Sequence, residues 1–288
     1  MKKPRRSALY TPGTNSRALE KTRQVDADVF ILDLEDAVAP EAKLDARANV
    51  RRFLQQRESD GREVLVRVNG LATPWCGDDI AALAGTGVDG ILLPKVDTAA
   101  DLQRAVALTA AAATPLWCMI ETPLAILNLQ PIAQAGAGRV AGWVMGSNDL
   151  VKEMRAAHTP DRLPLLYALS AAVVAARAYG LAILDGVHND IADSAGLAAA
   201  CAQARTLGFD GKTLIHPGQV AACNQAFSPD PRTLLDAHKI VAAFALPENA
   251  GRGVLQIDGR MVERLHEQIA RDTLALAAAI AARGGAKS

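Results

Sequence analysis

Two stretches of the chain end an apolar run in a carboxylate. Residues 116–123 (LWCMIETP) run into Glu121, and residues 143–149 (WVMGSND) run into Asp149. Apolar residues bounded by turn formers read as buried strands. Pro123 suits the first turn of a following helix and not a ladder position. An acid at the C-terminal end of a buried parallel strand points toward the mouth where α/β barrels keep their chemistry. Two such acids on neighbouring strands can share one hard cation. Oxygen-only ligands favour magnesium, which takes one or two protein carboxylates and keeps its other positions for water and substrate. The competing reading is that each acid merely caps the next helix.

Other strand ends add charged groups to the same rim. Asp33, Glu35 and Asp36 close the second run (DLED) and could hold the ion's water ligands from outside, or cap a helix. Arg67 sits within an apolar run and needs an anionic partner: a structural acid, or a substrate carboxylate or enolate oxygen. Lys95 is the rival centre, because Schiff-base aldolases put their nucleophile on a lysine at a barrel strand end. An ion pair with the nearby acids is its plainer role. Asp185 ends the seventh run and is expected at the mouth as well. His188 and His216 follow the seventh and eighth runs without forming a ligand cluster, and read as structural. Arg17 and Lys21 lie one turn apart on the first helix and project from one face, either toward phosphate groups or simply into water.

The elements that must position these residues recur regularly. Short apolar runs fall at residues 7–10, 29–32, 64–68, 90–93, 116–120, 143–146, 181–184 and 211–215, with helical patterns between them. Eight strands alternating with helices are what a (β/α)8 TIM barrel needs. A doubly wound open sheet is the alternative, but no G-x-G-x-x-G follows the first strand. Residues 216–288 are too long for one closing helix. The pattern predicts helices over 217–227 and 231–245, a loop over 247–253, an extended piece at 254–257 and a long helix from Gly259 onward. The division expected is a catalytic barrel, 1–220, and a C-terminal helical extension, 221–288, acting as a lid or trimer arm.

Composition limits the function. The chain has 288 residues, half of them hydrophobic, with 31 basic against 31 acidic side chains. A neutral balance argues against a nucleic-acid binder working through general positive charge. The basic start, residues 1–6, lacks the apolar core of a signal peptide, and no run approaches the ~18 apolar residues of a membrane span. Cys76, Cys118, Cys201 and Cys223 form no C-x-x-C pair and no zinc spacing. The expectation is a reduced cytoplasmic protein with neither a nucleic-acid nor a membrane partner.

Taken in order, the motifs SALYTPGTNSRALEK, DLEDAV, RVN, LLPKV, IETP, GSNDL, LDGVHNDIAD, GFDGKTLIHPGQV and IDGRMV span nearly the whole chain. Together they resemble the β subunit of citrate lyase and its relatives, the malyl-CoA and citramalyl-CoA lyases of the HpcH/HpaI aldolase superfamily. The resemblance implies a trimeric barrel with Mg²⁺ on Glu121 and Asp149. It implies substrate oxygen bound by Arg67 and CoA phosphates by Arg17 and Lys21. Asp258, from a segment folded over a neighbouring subunit's site, is implied as the acid/base. The implied reaction cleaves a 3-hydroxyacyl thioester, such as citryl-, malyl- or citramalyl-CoA, into an acyl thioester and a 2-oxo acid. The thioester is carried on CoA or on an acyl carrier protein. In the second case the chain would be one subunit of a larger complex.

Overall fold

The structure is a computed structural model and describes residues 3–58, 60–110 and 114–285. Eight parallel strands close into a barrel in sequence order. They are β1 (Ser7–Pro12), β2 (Val29–Asp33), β3 (Glu63–Arg67), β4 (Gly90–Leu93), β5 (Leu116–Ile120), β6 (Val140–Met145), β7 (Ala182–Asp185) and β8 (Gly211–Leu214). The fold is the (β/α)8 barrel with C-terminal helices that the apolar runs predict.

Alternation along each strand sorts its side chains to two faces. Val29, Ile31, Leu65, Leu92, Trp117, Met119, Val144 and Leu184 cluster inside the barrel. Phe30, Leu32, Val64, Val66, Cys118, Trp143, Ile183 and Leu214 pack outward in the core shared with the helices. Trp117 is fully buried, and the interior makes room for its ring at two glycines. A Cβ at Gly142 would stand 2.5 Å from the indole and one at Gly90 3.0 Å from it. The same parity, carried one residue pair further, turns Tyr10, Asp33, Arg67 and Glu121 inward at the C-terminal mouth. It turns Asp185 and Lys212 outward.

Local signals set the helix starts. Thr98 and Asp101 form a reciprocal capping box on helix Ala99–Leu108, and Asp193 caps Ser194–Leu207, which ends on Gly208 in the left-handed region. Residues 111–113, which the helical pattern includes, lie outside the described residues. All four cysteines are free and buried. No helix of the described residues is long and apolar enough to cross a membrane.

The chain divides into two compact units, one of residues 5–227 and one of residues 1–4 with 228–288. The helix Val220–Phe227 packs on β1 and β8 within the first. The second unit holds helices Pro231–Ala245 and Arg264–Gly285, packed on each other, and a hairpin of β9 (Val254–Ile257) and β10 (Arg260–Glu263). The helix expected from Gly259 onward therefore starts five residues later. Asp258 and Gly259 both take positive φ, 49° and 76°, which is the backbone of a tight two-residue hairpin turn. Phe244, Leu255 and Val262 form that unit's own small core.

Candidate active site

Strand register brings Asp33 and Arg67 side by side, since they are paired positions of β2 and β3. Asp33 grips the guanidinium at both oxygens, with Nε to Oδ1 at 2.7 Å and Nη2 to Oδ2 at 2.6 Å. The same carboxylate accepts the backbone N–H groups of Glu35 and Ala37, so it also shapes the turn. Arg67 Nη1 lies 3.1 Å from Glu35 and 3.3 Å from Asp36. Lys43 anchors the loop from below by donating to the carbonyls of Leu34 and Glu35. Three acids thus surround one arginine, and its anionic partner is in the fold itself. Tyr10, which the sequence reading passed over, lies beneath the guanidinium, 4.9 Å from ring centre to Cζ.

Glu121 follows β5 and is almost fully buried, at 2 % exposure. It does not cap the next helix: Thr122 does, accepting from the Ala125 N–H, and Pro123 opens the helix. The Lys95 backbone N–H instead donates to Glu121 Oε1 at 2.7 Å. Lys95 takes φ 52° to aim it. Gly146 makes room for the carboxylate, since a Cβ there would lie 2.5 Å from Glu121 Oε2. Gly146 is also the residue before helix Ser147–Glu153, whose first turn carries Asp149. The turn that admits Glu121 is therefore the turn that presents Asp149. Asp149 serves no cap either.

Burial pushes the Glu121 carboxyl up to about 8, against the Lys95 N–H that favours its charged form. Burial pushes Glu35 up to about 7, with Arg67 opposing. A divalent cation supplies the opposite charge that such carboxylates need. Two carboxylates, Glu121 and Asp149, lining one cavity fit Mg²⁺, which needs few protein ligands. Among the described residues no group of three or more His, Cys, Asp or Glu gathers as a metal site.

Lys95 has an exposed side chain. Partial burial works against its charge, but Glu35, Asp149, Glu121 and Asp36 outweigh this and hold the ammonium above the ordinary lysine range. A Schiff-base nucleophile needs the opposite, a free amine near neutral pH.

Asp33, Asp36, Arg67, Glu121 and Asp149 line one cavity of about 350 Å³ at the barrel mouth, with Tyr10, Met119, Met145, Asn148 and Thr213 among its other walls. Glu35 is not part of this lining, but it lies 3.1 Å from Arg67, which is. Arg17 and Lys21 are exposed on helix Ser16–Lys21 and are not part of this lining. In the second unit Asp258 stands exposed at the hairpin tip, its Oδ2 accepting from Lys239 Nζ at 2.8 Å. Asp185 is not at the mouth. It is fully buried between Lys212 at 2.7 Å and Arg162 at 2.5 Å.

A family model described as HpcH/HpaI aldolase/citrate lyase matches residues 6–217. The chain belongs to this family. It is 48 % identical over 281 residues to a (3S)-malyl-CoA thioesterase of Cereibacter sphaeroides, covering 98 % of this chain and 97 % of the relative. It is 34 % identical over 269 residues to a citrate lyase subunit beta of Leuconostoc mesenteroides, covering 90 % and 89 %. Among solved structures it resembles CitE from Mycobacterium tuberculosis in complex with magnesium, acetoacetate and coenzyme A. That match has a TM-score of 0.78 and 30 % identity, over 94 % of this chain and 97 % of the other. Membership makes the chain a citrate lyase beta-like member of an enzyme family.

Proposed function

We propose that the chain is a Mg²⁺-dependent carbon–carbon lyase acting on a short 3-hydroxyacyl thioester. One observation carries the reading: Arg67, Glu121 and Asp149 face a single cavity at the barrel's C-terminal mouth. The relative that binds magnesium and coenzyme A supports it. Glu121 and Asp149 would hold the cation, which when bound polarises the substrate's hydroxyl and carboxylate oxygens as a Lewis acid.

The chain's own groups supply the rest. The Lys95 N–H and the Gly146 turn hold Glu121 in one orientation. Asp33 grips Arg67 along one edge, so the N–H groups not taken by acids meet substrate oxygen on which negative charge develops. The substrate hydroxyl would give its proton to Asp258 of a neighbouring copy, released from Lys239. The adjacent C–C bond then breaks, leaving a 2-oxo acid and a thioester enolate, and the protonated Asp258 returns that proton to the enolate carbon. That role requires an oligomer. We propose a cytoplasmic homotrimer, in which residues 228–288 act as lid and arm and Arg17 and Lys21 meet CoA phosphates. Sedimentation of the purified chain tests the assembly.

Charge narrows the substrate. Among the described lining residues Arg67 is the one cation, against Asp33, Asp36, Glu121 and Asp149. A 2-oxo acid with a second carboxylate, as from citryl-CoA, would rely on the bound cation and the nearby Lys95 ammonium for its opposite charge. Malyl- and citramalyl-CoA release monocarboxylate acids and fit better.

A second reading is favoured by the malyl-CoA thioesterase relative: hydrolysis of the thioester without C–C cleavage. The deciding experiment is product analysis of malyl-, citramalyl- and citryl-CoA with Mg²⁺ and with EDTA. Acetyl-CoA plus a 2-oxo acid supports the lyase. Free CoA plus the intact hydroxy acid supports the hydrolase. No turnover of any CoA ester by folded, Mg²⁺-supplied protein moves the reading to an acyl-carrier substrate in a larger complex. EDTA-resistant turnover trapped by borohydride at Lys95 restores the Schiff-base route.

A further inference from the structure

We propose that Tyr10 is a further catalytic residue of this site, its hydroxyl donating to the substrate oxygen that Arg67 also holds. The inference rests on the lyase reading above and adds a second donor to it. Tyr10 is on the inward face of β1, half-buried, and lines the cavity with Arg67 and Glu121. Its ring and its hydroxyl have separate roles. The ring lies against the guanidinium at 4.9 Å, a contact that phenylalanine would keep.

The hydroxyl is different. Among the described residues its contact is the Met119 sulfur at 3.9 Å, and a thioether is a weak acceptor. The Arg67 Nη1 approaches the same sulfur, at 3.7 Å. The phenol and the guanidinium therefore converge on one point of the wall with donor capacity left over. A ring placed only for packing does not need that oxygen, and the bond it makes to a thioether is weak. An oxygen of the substrate, placed between the two donors, satisfies both. Burial, with Asp33, Glu121 and Glu35 opposing Arg67, holds the phenol above the ordinary tyrosine range, so it keeps its proton at working pH.

The test compares Tyr10→Phe and Tyr10→Leu with the unchanged chain in Mg²⁺-supported cleavage of malyl-CoA. Loss of one such donor from an oxyanion site lowers kcat/KM by about 100- to 1000-fold, with the thermal midpoint nearly unchanged in Tyr10→Phe. Tyr10→Leu, which also removes the platform under Arg67, should in addition raise KM. Kinetics of Tyr10→Phe within about twofold of the unchanged chain in both kcat and KM overturn the proposal. Calorimetric titration with glyoxylate and Mg²⁺ separates the two readings. If the unchanged chain cleaves no thioester, the lyase reading fails, and the titration alone then decides on Tyr10. Weaker glyoxylate binding by Tyr10→Phe supports the donor role, and equal binding overturns it.

Discussion

Two ion clusters, one centred on buried Arg67 at the end of β3 and one on buried Asp185 at the end of β7, are built in opposite senses. At β2 and β3 one cation, Arg67, is surrounded by three acids, Asp33, Glu35 and Asp36. At β7 and β8 one acid, Asp185, is gripped by two cations, Lys212 and Arg162. The first faces inward and lines a cavity; the second faces outward into the wall between strands and helices. Lys212 there also donates to the Gly186 carbonyl, and Thr213 to that of Asp185. An excess of acid beside a cavity is a standing invitation to a cation and a costly arrangement by itself. A closed cluster with every group partnered binds nothing and ties the last two strands together. Charge alone does not mark a functional site; unmatched charge that opens on a cavity does.

Substitutions sharpen this contrast, and the largest effect is expected at the inward cluster's neighbour, Glu121. Glu121→Ala should lower turnover by roughly a thousandfold or more, since it removes a proposed ligand of the cation on which electrostatic stabilisation depends. The Mg²⁺-induced rise in thermal midpoint should vanish with it, which scanning calorimetry reads independently of activity. Arg67→Lys comes next. It keeps the charge but not the two-pronged grip on Asp33, so kcat should fall by about 100-fold while the fold survives. Lys activity equal to Arg would mean that the three acids need only a point charge.

At the outward cluster the readout is stability. Asp185→Ala leaves Lys212 buried without its counter-charge and should cost about 3–5 kcal/mol in urea unfolding. A loss near zero would place this cluster, too, among the functional ones. Its pH dependence has a definite sign. Burial opposes ionisation of Asp185, but Lys212 and Arg162 outweigh it and hold the carboxyl below the ordinary range. Its contribution is therefore complete above the unfolded value of about 4 and lost as pH falls through the lower folded value. The stability gap between the unchanged chain and Asp185→Asn should shrink only in that acid window. The smallest effect is expected at Lys239→Met, where an exposed pair is lost. Stability should hardly move. The Asp258 carboxyl, held low chiefly by its hydrogen bond from Lys239, should shift upward, visible by carboxyl NMR.

Several features were legible from particular residues. Glu121 and Asp149 announced themselves because a single acid after an apolar run is a local pattern. The hairpin at Asp258-Gly259 was missed: Asp-Gly after an extended piece is a strong turn signal, but the apolar spacing beyond it suggested helix. Tyr10 ends an apolar run as Glu121 does, but an aromatic ring there looks like core. Asp185 satisfied the same strand-end rule as Glu121 and turned the other way, because one residue of parity exchanges mouth for wall.

The sequence by itself determined the eight strands, their order and the places of Glu121 and Asp149 beyond strand ends, because alternation and strand ends are properties of neighbouring residues. Only the tertiary structure decided the partners: that Arg67 belongs to Asp33, that Lys95 offers Glu121 its backbone N–H, and that Asp185 is enclosed by Lys212 and Arg162. Those pairings join residues 23 to 34 positions apart. They depend on register and barrel closure, which no local pattern encodes.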